Sequence, residues 1–444
     1  MSIQQKDAAV RVVACRGSIQ LASAVAAMRT RDLADEVPGR EMRSHLFIYD
    51  LSAPEDQIED FAACIQGLAD SCEKWASIRI VSDDECGRAQ AALKDGADAC
   101  KVLLKEFTGE ERVDQLYIGP NGRPVTKFLR AATTGAEKVN FGDGLALNFT
   151  MDYYRPDFYP QHVGRHVGGE AGGKKKTLKS RLKRLERIVK HWVRGAAEEE
   201  NARTPTAPAP LPPRPFDTHC LLLKNLFNEQ LDEVLDIDPA CFKELFARFA
   251  AGFESKVPVA AQRLRGLQED RTSVSILLTS NFSETQRMTL EGEIEGYLRL
   301  LDQMQHGPDQ ALLIKPHPRD SHEKIKQLRS AVDGRYGQVI LLDDPWSFYV
   351  PFESLFDKYF CEAGVARSNV EAATVSSACL SLEYLYAQPC VLGFGADIVT
   401  KHFSENWQPL RHIHEEDLEA IVRDLRSSEQ VRSLHASRTR PLAA

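Results

Sequence analysis

The strongest constraint on this chain is an alternation of short β-branched runs with helix-length amphipathic stretches, repeated in two separate halves. Residues 10–15, 45–49, 77–81, 115–118 and 138–141 read as strands, and helical patterns at 21–28, 56–68 and 87–107 lie between them. Strands separated by helices become neighbours through right-handed βαβ crossovers, so this half reads as a mostly parallel, Rossmann-like sheet. The pattern returns at 274–278, 311–315, 338–342 and 390–394, with a helix at 289–305 and weaker strand candidates at 359–361 and 374–375. A chain of 444 residues is too long for one ordinary core, which agrees with two α/β domains. Open parallel sheets take ligands beyond the C-terminal ends of their strands, so the site is expected in a cleft between the halves.

The middle of the chain breaks the pattern. Residues 174–194 hold ten Lys or Arg and one acid, Glu186, and an apolar stripe of Leu178, Leu182, Leu185, Ile188, Val189, Trp192 and Val193. That spacing describes a basic amphipathic helix. A Pro/Ala-rich segment at 205–215 follows and reads as an extended linker. The expected organisation is a Rossmann-like domain over residues 1–165, the basic helix and linker over 166–215, a second Rossmann-like domain over 216–430, and a polar tail over 431–444.

Composition narrows the setting. The 43% hydrophobic and 27% charged content is that of a globular protein, and no apolar run is long enough for a transmembrane helix. Ten cysteines lie scattered without a CxxC pair, and residues 1–10 lack the apolar segment of a signal peptide. A cytoplasmic location with reduced thiols is expected, with any membrane contact peripheral to the inner face. The dense cationic face of Lys175, Lys179, Lys183 and Arg187, with Trp192 on the stripe, suits an anionic membrane surface. A helix packed on a domain with a solvated basic face is the competing reading. The net charge of −8 argues against nucleic acid as a partner.

Four local features carry chemistry. A strand feeds into Lys315-Pro316-His317-Pro318-Arg319, which holds an imidazole between two prolines at a strand end. A cationic His317 backed by Lys315 and Arg319 suits a phosphate that gains charge as it leaves. Ser376-Ser377 precede a helical pattern, where hydroxyls cap the helix and free N–H groups can meet a phosphate. Phe141-Gly142-Asp143-Gly144 follows a strand, so Asp143 is either a general base or part of a turn. Glu353 either accepts hydroxyls of a ribose or is solvated. Gly17 and Ser18 after the first strand, and Ser280 and Asn281 after the strand at 274–278, are further polar strand-end positions. Asp343-Asp344 precedes Pro345 and reads as a turn or cap; no metal-site spacing occurs elsewhere.

An acid–Gly motif, then His-Pro, then Ser-Ser, in that order, resembles the signature of bacterial sialyltransferases and polysialyltransferases. Residues 12–21 (VVACRGSIQL) and 114–119 (DQLYIG) are similar to segments of the same group. The resemblance spans both halves but not the basic stretch and linker. It implies a GT-B fold with an N-terminal acceptor domain and a C-terminal donor domain. It further implies an inverting, metal-independent transfer from a CMP-activated sugar, with no cofactor, to a glycan or glycolipid hydroxyl. By motif, Asp143 would be the base, His317 would assist the departing phosphate, Ser376 and Ser377 would hold it, with Lys315 and Pro318 flanking, and Glu353 would hold the ribose. The family has two adjacent acids before the glycine; here Gly142 takes the first place and Asp143 the second. Capsule or lipopolysaccharide synthesis is the expected setting. A GT-B transferase with another nucleotide donor and a non-catalytic scaffold subunit of a polysaccharide assembly complex are the alternatives.

Overall fold

The computed structural model describes residues 8–34, 41–51, 53, 55–142, 216–223, 234–305 and 307–438. β1 (Ala9–Cys15) is buried along its whole length. A strand with no solvent face belongs at the centre of a sheet covered on both sides. Its one charged side chain, Arg11, is paired with Asp32 and donates to Gln115 Oε1 at 3.2 Å.

β1 pairs with β2 (Met42–Ile48) on one side and β4 (Gln115–Ile118) on the other. The sheet runs β3-β2-β1-β4-β5-β6-β7, every pairing parallel, with β3 at Ser77–Ile80 and β5 at Glu137–Asn140. The last two strands, β6 (Thr218–Leu221) and β7 (Val234–Asp236), correct the sequence reading, which put residues from 216 onward with the second half. They are short and carry no alternation to mark them, and only pairing with β5 places them. The basic helix and linker expected at 166–215 lie outside the described residues.

The second sheet runs β10-β9-β8-β13-β14, again wholly parallel. β8 is Ser273–Leu278, β9 Gly307–Lys315, β10 Tyr336–Leu341, β13 Val370–Thr374 and β14 Cys390–Leu392; a small antiparallel pair, β11 (Cys361–Glu362) with β12 (Val365–Ala366), stands apart. In both sheets the chain starts at a central strand, builds outward, then returns to the other side. This order creates a crevice at the reversal, between β1 and β4 and between β8 and β13. The α/β, GT-B-type architecture of two Rossmann-like sheets is therefore present.

The helix Pro239–Lys256 connects the halves. Asp238 caps it, accepting from Ala240 N at 2.8 Å, and Phe242, Leu245, Phe246, Phe249 and Phe253 form its buried stripe. One apolar core runs continuously from Val13 and Leu68 through Phe246 to Phe356 and Leu385. The halves also touch directly. Tyr349 stacks on Phe61 with centroids 4.2 Å apart, and its hydroxyl donates to Gln57 Oε1 at 2.9 Å. Residues 431–438 of the expected polar tail belong to a helix (Glu429–Arg438), and His435 meets the buried Glu383 at 2.5 Å. No helix among the described residues is long and apolar enough to cross a membrane.

Candidate functional site

β9, β8 and β13 are consecutive in the second sheet, so their C-terminal ends lie side by side, adjacent strands about 4.8 Å apart. β9 ends at Lys315 and delivers His317; β8 ends at Leu278 and delivers Thr279-Ser280-Asn281; β13 ends at Thr374 and delivers Ser376-Ser377. Segments far apart in sequence thus meet at one sheet edge, beside the crevice.

His317 sits in a tight turn. Asp320 N donates to His317 O at 2.8 Å, with Pro318 at the second position, where its fixed φ suits the turn. The backbone N–H of His317 donates to Thr279 Oγ1 at 2.8 Å and Asp320 Oδ2 at 2.9 Å, and the Thr279 hydroxyl bonds to the same carboxylate oxygen. Arg319 N donates to His317 Nδ1 at 3.1 Å. A backbone N–H can only donate, so Nδ1 is an acceptor and the neutral ring carries its proton on Nε2. Burial, reinforced by Arg319, Lys324 and Lys315, pushes the imidazole down to about 3. The cationic His317 of the sequence reading is corrected to a neutral ring that presents one N–H.

Lys315 is also corrected. Its ammonium is buried and donates to Phe348 O at 2.5 Å and Pro316 O at 3.3 Å. It braces the end of β9 against the helix Pro345–Tyr349 instead of facing a ligand. Burial lowers it to about 8. Glu353, in the first turn of the helix Phe352–Phe360, is buried and accepts from Ser381 Oγ at 2.6 Å; burial raises its carboxyl above the usual range. Its Oε1 is thus occupied by a protein hydroxyl, and it is not a solvated side chain.

Ser376 and Ser377 are half-buried at the start of the helix Ala378–Tyr386. Ser376 Oγ lies 3.1 Å from Thr374 Oγ1 and accepts from Ala378 N at 3.4 Å, whereas Ser377 makes no capping bond. Asp344 caps the helix Pro345–Tyr349, accepting from Ser347 N at 3.0 Å. In the first half, Ser18 donates to Tyr349 O at 2.6 Å, so its hydroxyl joins the two halves. Gly17 lies beside Phe61. Gly142 has φ +95°, and a Cβ on Gly119 would come within 2.5 Å of its carbonyl oxygen. A side chain at either position would be strained, which accounts for glycine at 142. Asp143, Gly144, Lys175, Lys179, Lys183, Arg187 and Trp192 lie outside the described residues.

Sequence reasoning missed the network that holds this edge. Lys324, buried, donates to Glu293 at 2.6 Å, Asp320 at 2.9 Å and Glu284 at 3.2 Å, and also bonds to Ser280 O. Tyr297 donates to Glu293 Oε1 at 2.7 Å and accepts from Ser280 N at 2.6 Å. The network ties the turn after β8 to the His317 turn. Burial raises Asp320 to about 6 against the pull of Lys324. Lone Lys and Glu residues on separate helices give no local signal of such a meeting. Among the described residues no group of His, Cys, Asp or Glu is placed to hold a metal.

Two parallel Rossmann-like sheets and a polar edge that presents a neutral His, hydroxyls and a helix start define a GT-B-type α/β protein. Residues 202–358 match the family model "Alpha-2,8-polysialyltransferase (POLYST)", in agreement with the sialyltransferase- and polysialyltransferase-like resemblance, and this match supports a glycosyltransferase. Comparison with curated proteins gives no match. Similar solved structures include a co-structure of S. aureus MnaA with UDP, 8% identical over 96% of this chain and 89% of that one, TM-score 0.39. A putative UDP-N-acetylglucosamine 2-epimerase from Listeria monocytogenes is 9% identical over 97% and 90%, TM-score 0.43. E. coli ADP-heptose lps heptosyltransferase II is 10% identical over 86% and 84%, TM-score 0.33.

Proposed function

We propose that this chain transfers a sialic-acid-like or other ulosonic acid residue, such as Kdo, from a CMP-activated donor to a glycan or glycolipid hydroxyl. The observation that carries the reading is the placement of His317 and Ser376-Ser377 at the ends of the two strands that flank β8, with Asn281 after β8 itself. The transfer is inverting and needs neither metal nor cofactor. Asp143 takes the acceptor proton as the acceptor oxygen bonds to the anomeric carbon. The bond from that carbon to the phosphate oxygen breaks, and its electron pair leaves with CMP. His317 Nε2–H hydrogen-bonds the oxygen that gains this charge, while the hydroxyls of Ser376 and Ser377 hold the phosphate. An oxocarbenium-like centre needs chiefly a placed nucleophile and a stabilised leaving group.

The protein works at the cytoplasmic face of the membrane in surface-polysaccharide synthesis, with residues 174–194 against anionic lipid. A thermal-shift panel with CMP, CDP, UDP and GDP tests the donor. Selective stabilisation by CMP is expected; preference for UDP or GDP would refute the CMP donor, and silence throughout would favour a scaffold. His317→Ala and Asp143→Ala should abolish transfer with the fold intact. Deletion of residues 173–194 should reduce flotation with anionic liposomes, and unchanged flotation would sink the membrane contact.

A further inference from the structure

Beside the Ser376-Ser377 turn lies a cationic cluster that the transfer chemistry leaves unused. Arg411, on the helix Gln408–Ser427, has a side chain only 5% exposed. Its Nε donates to Glu415 Oε1 at 2.7 Å and its Nη1 to Val375 O at 3.0 Å, immediately before Ser376. Its Nη2 is buried without a protein partner, and the guanidinium lies over the rings of Phe282 and Phe394, 4.9 and 5.5 Å from their centroids. Arg287, on the segment after β8, lies 4.5 Å over Trp407 and has an unpartnered buried Nε; Asn281 has an unpartnered buried Nδ2.

The charges do not balance. Glu415 faces Arg411, but its two oxygens also accept the N–H groups of Phe394 at 2.8 Å and Gly395 at 3.1 Å. Arg411 and Arg319 both bear on Arg287, and Arg411 with Arg287 helps burial hold His414 neutral, pushed down to about 3. Buried donors left unpaired are costly, and the Arg287 and Arg411 guanidinium groups bear on each other with the Glu415 carboxylate paired to Arg411, which leaves a positive potential. Arg287 and Asn281 are only half-buried and stand on the segment that leaves β8, next to the ends of β9 and β13. The backbone of Arg287 is fixed by its N–H donating to Phe282 O at 2.9 Å.

We propose that Arg287 and Asn281, backed by Arg411, form an oxyanion subsite that takes a phosphate or carboxylate oxygen of the nucleotide sugar. The inference rests on the chain being a nucleotide-sugar transferase. Arg287 supplies a planar fork of donors suited to either oxyanion. Arg411 acts behind it as a positioning residue, since it holds the Val375 carbonyl and so the turn that carries Ser376.

Isothermal titration of the full chain with CMP and with CMP-N-acetylneuraminic acid tests the subsite, wild type against Arg287→Gln and Asn281→Asp. Loss of a charged hydrogen bond is expected to weaken binding about ten- to a hundredfold. Equal weakening for both ligands assigns the phosphate; weakening confined to the CMP-sugar assigns the carboxylate. Unchanged affinity for both ligands in both folded variants overturns the proposal. If the wild type prefers UDP or GDP, the CMP reading fails, and the same variants judge the subsite on that nucleotide. If no nucleotide binds, stabilisation by inorganic phosphate judges it: a response lost in Arg287→Gln supports the subsite, and equal responses overturn it.

Discussion

The neutral state of His317 can be tested by His317→Asn. Asn places Oδ1 where Nδ1 stands, so Arg319 N–H keeps an acceptor and the turn survives, while the titrating ring is gone. The folded ring is depressed from 6.5 to about 3. That gap corresponds to about 5 kcal/mol of preference for the neutral form. The group's folded value lies below its unfolded one, so its stability contribution is full above about 6.5 and is lost as pH falls toward about 3. At pH 5 the unfolded chain has already bound its proton and the folded chain has not, a loss of about 2 kcal/mol from this one residue. With 13C-labelled histidine, one imidazole resonance should vanish in His317→Asn and, in the wild type, stay at its neutral shift from pH 7.5 to 4.5. A resonance assigned to His317 that titrates near 6.5 would refute the burial argument.

Further predictions concern the scaffold of the site. Lys324→Met leaves the carboxylates of Glu293 and Asp320 buried without their cation; it should cost about 3–5 kcal/mol in denaturant unfolding and disorder the His317 turn. Gly142→Asp creates the paired acids of the sialyltransferases that the sequence resembles but forces a side chain onto φ +95°; a loss of about 1–3 kcal/mol is expected, read as a lower melting temperature. Ser381→Ala strips Glu353 Oε1 of its hydroxyl partner; a destabilisation of about 1–3 kcal/mol is expected, and an unchanged midpoint would show that the bond contributes nothing.

The sequence shows its parallel sheets because buried β-branched runs leave a local trace, and β1, β8 and β9 fall close to where they are expected. It shows the strand-end position of His317 for the same reason. The long helix expected at 87–107 is instead two helices, Asp83–Asp95 and Ala97–Thr108, broken at Gly96 with φ +109°. The amphipathic period continues across the break, so the pattern conceals it. The protonation of His317 and the inward turn of Lys315 are not legible, because each depends on burial and on groups such as Phe348 and Lys324 that only the fold brings near. The buried Arg411, with its unpartnered Nη2, is equally silent in the sequence, since the groups around it lie on segments near Glu415, Val375 and Phe282.

The placement of β6 and β7 in the first sheet has a practical consequence for dissecting the protein. The segment matched by the polysialyltransferase family model, 202–358, begins before these strands and ends before β13. β6 needs β5 as its neighbour and β8 needs β13, and both neighbours lie outside that segment. An excised fragment with those limits would expose two raw strand edges and the part of the Phe-rich face of the helix Pro239–Lys256 that packs on the first half, a recipe for aggregation. The matched segment is a continuous stretch of sequence but not a unit of folding, and mutational work is better done on the full chain.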